Sequence, residues 1–414
     1  MKNNNAKTTI TVIAMMFLFA MISFVTNMAA PFGTIWKFQY EWAGMVGNMM
    51  NFAAYLFMGI PAGMMITKMG YKKTALIALA LGFIGIAVQF LSSRVGADAA
   101  VFGGVMNANY LIYLFGAFIC GFCVCILNTV VNPMLNILGG GGNKGNQYIQ
   151  IGGSLNSLSA TLTPMLVGVM IGEVTKDTSM SNVAPLLLIA MGIFAVAFII
   201  IALTKIQEPG QASGNVLENI KGALGFKQLV WGAVAVFFYV GVEVGIPGEL
   251  IFYVSNMDLP NATAVAGSIA AIYWLLMLVG RFTSTFISGK VSSRTQVSCV
   301  AAVAIVFLLL AIFIPEMVTI NLYAIVPLKC LFFILCGLCT SVMWGGIFNL
   351  STEGLGKYTA AASGIFMTLV VGGGVMPLLQ DAIARSVGYI QSYWLVIAML
   401  VYILWYALRG SKVK

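Results

Sequence analysis

The sequence predicts an all-α membrane protein of twelve transmembrane helices, arranged as two six-helix pseudo-repeats. Three observations lead there. Of the 414 residues, 60% are hydrophobic and only 8% charged, with no histidine, and the mean hydropathy is +0.98. A soluble domain carries roughly 25% charged residues, so this chain could not cover its own surface in water. Apolar runs of about 20 residues, the length a helix needs to cross about 30 Å of hydrocarbon, recur along the chain. The alternating segments of about 10 residues that mark a β-barrel are not found. Finally, the two halves of the chain echo each other in sequence.

Taken in order, the apolar runs cover residues 9–36, 42–66, 74–93, 107–137, 148–172, 185–204, 229–255, 263–288, 296–314, 319–350, 358–384 and 389–408. The first follows MKNNNAKTT without a small-residue cleavage site, so it reads as a membrane helix and not as a removed signal. The longest break is Lys205 to Gln228, which predicts an N-terminal six-helix bundle over 1–204, a cytoplasmic linker over 205–228 and a C-terminal bundle over 229–414. With the N-terminus inside, sixteen Lys and Arg residues fall on the cytoplasmic side, Arg281 among them. Lys37, Arg94, Lys176 and Arg385 fall outside, and Lys329 lies within a segment. Such a bias places both termini in the cytoplasm. The repeat shows where Asn136-Ile137-Leu138, Gly141, Lys144 and Pro164 align at one offset with Asn349-Leu350-Ser351, Gly354, Lys357 and Pro377. Gly63 to Lys73 matches Gly280 to Lys290 in spacing. Two six-helix repeats of like orientation place a substrate site at the midplane between the halves.

Several function classes are excluded on composition. The net charge of +9 sits at membrane edges and so does not imply a nucleic-acid partner. All seven cysteines lie in apolar segments without a histidine, which reads as packing and not as a metal site. No H-E-x-x-H or G-x-S-x-G motif is present, so no enzyme is expected. The glycine-rich loops Ile137 to Asn146 and Glu353 to Thr359 do not fit a phosphate-binding loop, and no cofactor is expected.

The polar residues inside the segments suit a neutral polar solute. Asn128, Asn132 and Asn136 recur every four positions and form one stripe on the fourth segment. Three amides facing lipid would be costly, so the stripe is expected to face a cavity. Asn27, Asn48, Asn51, Gln150, Ser154, Asn156 and Ser157 add donors and acceptors, as a sugar hydroxyl does itself. Packing across helices is the plainer role for such residues and is expected for about half of them. Glu243 lies in the middle of the seventh segment, where an ionisable group is a functional hypothesis by default. A structural ion pair with Lys329 is its plainer reading. Pro247 is expected to break the turn after it and to leave Glu249 near the outer mouth. Tyr273, Trp274 and Trp344 offer rings that either stack on a sugar or fill the core.

The segment GMMITKMGYKK, Gly63 to Lys73, resembles the major facilitator superfamily signature G-x-x-x-D-K-x-G-x-K-K, with Thr67 in place of the acid. NTVVNPMLNILG (128–139), SLNS (154–157), YVGVEV (239–244), YWLLMLVGRF (273–282) and the stretch 341–377 narrow the resemblance to the fucose permease family. That resemblance implies a secondary transporter moving a neutral sugar (hexose, deoxyhexose or amino sugar) by alternating access. Uptake across the inner membrane of a bacterium, by a monomer, is the expected form. The implied sugar ligands are Asn27, Asn48, Asn128, Asn132 and Asn156, then Glu243, Tyr273 and Asn349. Lys68, Lys72, Lys73 and Arg281 are expected to form a cytoplasmic latch. Proton-coupled members of the family carry acids at the positions of Asn27 and Asn128, and an amide cannot titrate. Glu243 is therefore the leading coupling group and Asp381 a distant second, with sodium coupling or none left open. An exporter of amphipathic compounds, or a membrane sugar sensor, are the alternatives.

Overall fold

The computed structural model describes residues 2–40, 42–43, 46–171, 178–206, 208, 216–260, 262–322 and 324–412. Lys176, Lys414 and most of the first half of the predicted linker lie outside them. The helices are α1 (Lys2–Gln39), α2 (Val46–Ser92), α3 (Ala108–Leu138), α4 (Gly142–Ile171), α5 (Ala184–Leu203), α6 (Val216–Leu224) and α7 (Lys227–Ser255). They continue with α8 (Ala262–Ile287), α9 (Ser293–Phe313), α10 (Lys329–Thr340), α11 (Met343–Thr352), α12 (Thr359–Thr368), α13 (Gly372–Val387) and α14 (Tyr389–Trp405).

Twelve membrane crossings follow from these elements among the described residues. Ten stretches are long and apolar enough to span. One of them, α2, has 47 residues, which as a straight rod would measure about 70 Å at 1.5 Å per residue, twice what a bilayer holds. It folds back at Gly70, whose φ of 83° and ψ of 172° break the helix; that left-handed region is open to glycine. The second and third predicted segments are thus the two arms of α2. The remaining crossing, fifth in chain order, is α4, 30 residues long. The tenth and eleventh crossings are broken helices, α10 with α11 and α12 with α13.

Two boundaries differ from the sequence expectation. The tenth segment does not start at 319: Thr319–Asn321 (β3) and Ile325–Pro327 (β4) pair antiparallel, and the helix begins at Lys329. A run of Ile and Val reads the same in hydropathy whether helical or extended. A similar two-residue pairing, Ala100–Val101 (β1) with Met106–Asn107 (β2), precedes α3. Nor does Pro247 break α7, which runs unbroken through it.

The chain forms two compact units: Met1–Leu138 with Leu158–Ile220 and Lys357–Thr368, and Gly139–Ser157 with Lys221–Gly356 and Leu369–Lys414. Glycine lets helices close on each other inside each unit. In the first, a Cβ on Gly63 of α2 would lie 2.7 Å from the Ala360 carbonyl oxygen of α12, and a Cβ on Gly121 of α3 would lie 2.5 Å from the Asn51 carbonyl. Close backbone approach of this kind is how helices associate in lipid, where apolar side chains have no water to escape.

Candidate functional site

Prolines create the first polar contacts in both units. A proline lacks the N–H that would bond the carbonyl four residues before it. Pro133 therefore frees the Thr129 carbonyl, and the Ser363 hydroxyl of α12 donates to it at 3.1 Å. Pro247 frees the Glu243 carbonyl in the same way, and the Tyr273 hydroxyl of α8 donates to it at 3.3 Å. Tyr273, fully buried, also lies 3.0 Å from the Thr340 hydroxyl, so it ties α7, α8 and α10 together.

The Glu243 side chain points to a denser centre. Arg281 of α8 donates from Nη2 to Glu243 Oε1 at 3.0 Å. Its Nη1 reaches Ser157 Oγ at 2.9 Å, Asn156 Oδ1 at 3.3 Å and the Gly153 carbonyl at 3.4 Å. Nε donates to the Ser341 carbonyl at 3.4 Å, at the break between α10 and α11. A guanidinium holds five donors in a fixed fork, and here all three nitrogens are engaged, by α4, α7 and the α10–α11 break of one unit. Both partners are largely buried, with side-chain exposures of 10% for Arg281 and 16% for Glu243. A lone charge at this depth would be costly, and mutual neutralisation makes the pair tolerable.

Arg281 was grouped above with the cytoplasmic cations; the structure buries it inside α8 instead. Lys329 is engaged elsewhere, donating to Glu316 Oε1 at 2.7 Å, so it is not the partner of Glu243. Tyr253 donates to the other oxygen of Glu316 at 2.6 Å. Partial burial pushes the Glu316 carboxyl up, but the Lys329 and Tyr253 hydrogen bonds outweigh it and hold the group below the ordinary carboxylate range.

In the first unit the polar set is uncharged. Asn128 donates to the Tyr55 hydroxyl at 2.9 Å, and Asn132 donates to the Asn128 carbonyl at 2.8 Å and side chain at 3.3 Å. Both amides are buried. Asn27, half-buried, bonds back to the Ser23 carbonyl and hydroxyl of its own helix. Asn48 is half-buried in the first turn of α2. Asn349, in the second unit, is buried and donates to Ser293 at the start of α9, at 2.9 Å.

The loop from Gly63 to Lys73 holds a feature that sequence reading missed. Its signature acid is replaced by Thr67, which bonds back to the Gly63 carbonyl. Glu208, beyond α5, instead accepts the backbone N–H groups of Tyr71 and Lys72, both at 2.9 Å. These N–H groups open the second arm of α2 and have no helical partner, so a carboxylate there caps the helix and meets its positive dipole end. Lys72 Nζ caps the other side of the contact on the carbonyls of Ala202 and Thr204, ending α5. No local pattern around Glu208 announces this role, because its partners lie more than 130 residues away.

Comparison with known proteins identifies the family. Residues 9–377 match the Major Facilitator Superfamily. The glucose/galactose transporter of Brucella abortus (strain 9-941) is 28% identical over 371 residues, covering 87% of this chain and 84% of that protein. The L-fucose-proton symporter of Escherichia coli (strain K12) is 23% identical over 399 residues, covering 88% and 83%. A crystal structure of the E. coli fucose:proton symporter has the same fold, with a TM-score of 0.80 at 20% identity over 98% of this chain and 100% of that one. On a match spanning most of its length, the chain belongs to the Major Facilitator Superfamily, as a transporter related to the fucose permease family.

Proposed function

We propose that the protein takes up a neutral sugar (a hexose, deoxyhexose or amino sugar) across the cytoplasmic membrane of a bacterium by alternating access, driven by protons. The observation that carries this reading is the Arg281–Glu243 centre. Its charges cancel, which disfavours an ionic solute. Its groups are those a polyol needs: a carboxylate that accepts two hydroxyls, a guanidinium that donates, and the Asn156 amide that does both. The relatives' names, glucose/galactose transporter and L-fucose-proton symporter, support the same solute class.

The contacts of Arg281 suggest how binding moves the protein. Glu243, Asn156 and Ser157 are held by one guanidinium. A sugar hydroxyl that takes Asn156 competes with Arg281 for that acceptor and weakens the hold of α8 on α4, and one that takes Glu243 weakens its hold on α7. Binding energy is thereby turned into release of a helix contact, which is what a two-state cycle requires. Asn27, Asn48, Asn128, Asn132, Tyr273 and Asn349 are the further sugar ligands in this proposal. Lys68, Lys72 and Lys73 hold their loop at the cytoplasmic surface, with both termini on that side.

Counterflow of radiolabelled hexoses in proteoliposomes, with and without proton or sodium gradients, tests the reading. Glu243→Gln is expected to abolish gradient-driven accumulation while sparing some exchange. Full accumulation by that variant would remove Glu243 as the coupling group, and sugar binding without any exchange by the wild type would turn the reading toward a sensor.

A further inference from the structure

Six residues after Glu243, α7 carries a second acid in the opposite situation. Glu249 is 3% exposed, and its Oε2 has no hydrogen-bond partner. The sequence reading expected this residue near the outer mouth. Its neighbour across the seam is set by glycines: a Cβ on Gly241 would strike Met376 of α13, and a Cβ on Gly245 would strike Gln380. Each step moves four residues along both helices, so the next turn brings Glu249 opposite Ala384, with Gln380 one turn back.

Gln380 is fully buried and its Oε1 also has no partner, while its amide donates to Ser392 Oγ at 3.5 Å. Two buried acceptors thus sit a helical turn apart on one seam. An unmatched acceptor away from water is costly. The other groups facing Glu249 do not supply the donor. Arg385 is paired with Asp381 on α13, these being the charges that act on Glu249. Tyr393 of α14 lies within electrostatic range of it, but its hydroxyl donates to the Ile246 carbonyl at 2.9 Å. Arg385 is 76% exposed and Asp381 23%, so the seam meets solvent at that end.

We propose that Glu249 is a proton-binding residue, taking a proton from solvent at the Asp381–Arg385 end of the α7–α13 seam and holding it as a neutral acid whose O–H supplies the missing donor. The proton adds to a carboxylate oxygen and no other bond changes. In the transport cycle, which rests on the uptake reading above, Glu249 is an outer proton station on the helix that also carries Glu243.

Infrared difference spectra of the purified protein across a pH titration test this directly. The carbonyl band of a protonated carboxylic acid is expected in the wild type, absent in Glu249→Gln, present in Glu243→Gln and restored in Glu249→Asp. In proteoliposomes, Glu249→Gln is expected to keep sugar counterflow and lose accumulation driven by a pH gradient. A band that survives in Glu249→Gln, accumulation by that variant at the wild-type level, or a wild type driven by sodium and indifferent to pH would each overturn the proposal. If the wild type moves no sugar, the uptake reading fails while the infrared band still decides the role of Glu249.

Discussion

The seam between α2 and α12 and the seam between α4 and α8 each join helices far apart in sequence, and they are built on different physics. The first is dry backbone against backbone: Gly59 and Gly63 face Gly364 and Thr368, with a Cβ on Gly364 only 2.6 Å from the Gly59 carbonyl oxygen. The second is polar: Arg281 reaches Gly153, Asn156 and Ser157, and Gln147 donates to the Thr285 carbonyl at 3.0 Å. A glycine seam gains its energy from close packing and tolerates no insertion. A hydrogen-bonded seam gains it from groups that a sugar hydroxyl or water can replace one at a time. The polar seam is therefore the one a solute can loosen.

The largest expected effect comes from removing the charge at its centre. Arg281→Ala strands Glu243 in the interior, and breaking a buried pair from one side costs about 3–5 kcal/mol. Thermal unfolding of the purified protein in detergent should show that loss. The double variant Arg281→Ala with Glu243→Ala removes both charges and should unfold closer to the wild type than Arg281→Ala alone. If the double variant is the less stable of the two, the pair is not acting as a compensated charge, and the contrast between the seams collapses.

How much of this was legible in the sequence follows the range of the interactions. Crossing helices need only local hydropathy, so the twelve spans could be read, and Gly70 marked its turn by the spacing of the signature loop. The hairpin at Thr319–Pro327 was not, because its Ile and Val residues satisfy a helical and an extended reading equally. Arg281 was counted with the cytoplasmic cations because it lies in the inner half of its segment, beside the stretch Gly280 to Lys290 that matches Gly63 to Lys73 in spacing. Its burial depends on Glu243, 38 residues away, and on Ser157, 124 residues away. Glu208 is the same lesson in the first unit. The acid missing at Thr67 had a counterpart whose place only the folded chain reveals. The unbroken course of α7 was missed because Pro247 was expected to end the turn. In the folded chain Tyr273 takes the freed carbonyl and the helix continues.

A single methyl group separates the seams next. Gly364→Ala puts a Cβ against the Gly59 carbonyl and 3.1 Å from the Gly63 Cα. Backbone atoms cannot rotate away, so α12 must move off α2, at about 1–3 kcal/mol as for other overpacked interiors. Gly153→Ala makes the same change in the polar seam, where the new Cβ would meet Arg281 Cδ at an ordinary 3.5 Å. Paired melting curves are expected to show a clear loss for Gly364→Ala and little change for Gly153→Ala. Equal losses would mean that the polar seam is packed as tightly as the dry one.

The smallest effect tests the polar seam where it is weakest. Gln147 is half-buried, and the Thr285 carbonyl it engages belongs to the last turn of α8, where carbonyls have no helical donor. Gln147→Ala removes one neutral hydrogen bond, worth about 0.5–1.5 kcal/mol net. Water can reach a carbonyl at a helix end, so the loss should fall at the lower limit, far below that of Arg281→Ala. Because Gln147 touches neither Glu243 nor Asn156 in the structure, it takes no part in the competition between sugar and guanidinium. Its loss should leave the affinity for sugar unchanged and instead speed exchange, by lowering the energy needed to part α4 from α8. Slower counterflow at unchanged affinity would mean that this contact assists opening, and release of the polar seam could not be the step that sugar binding drives.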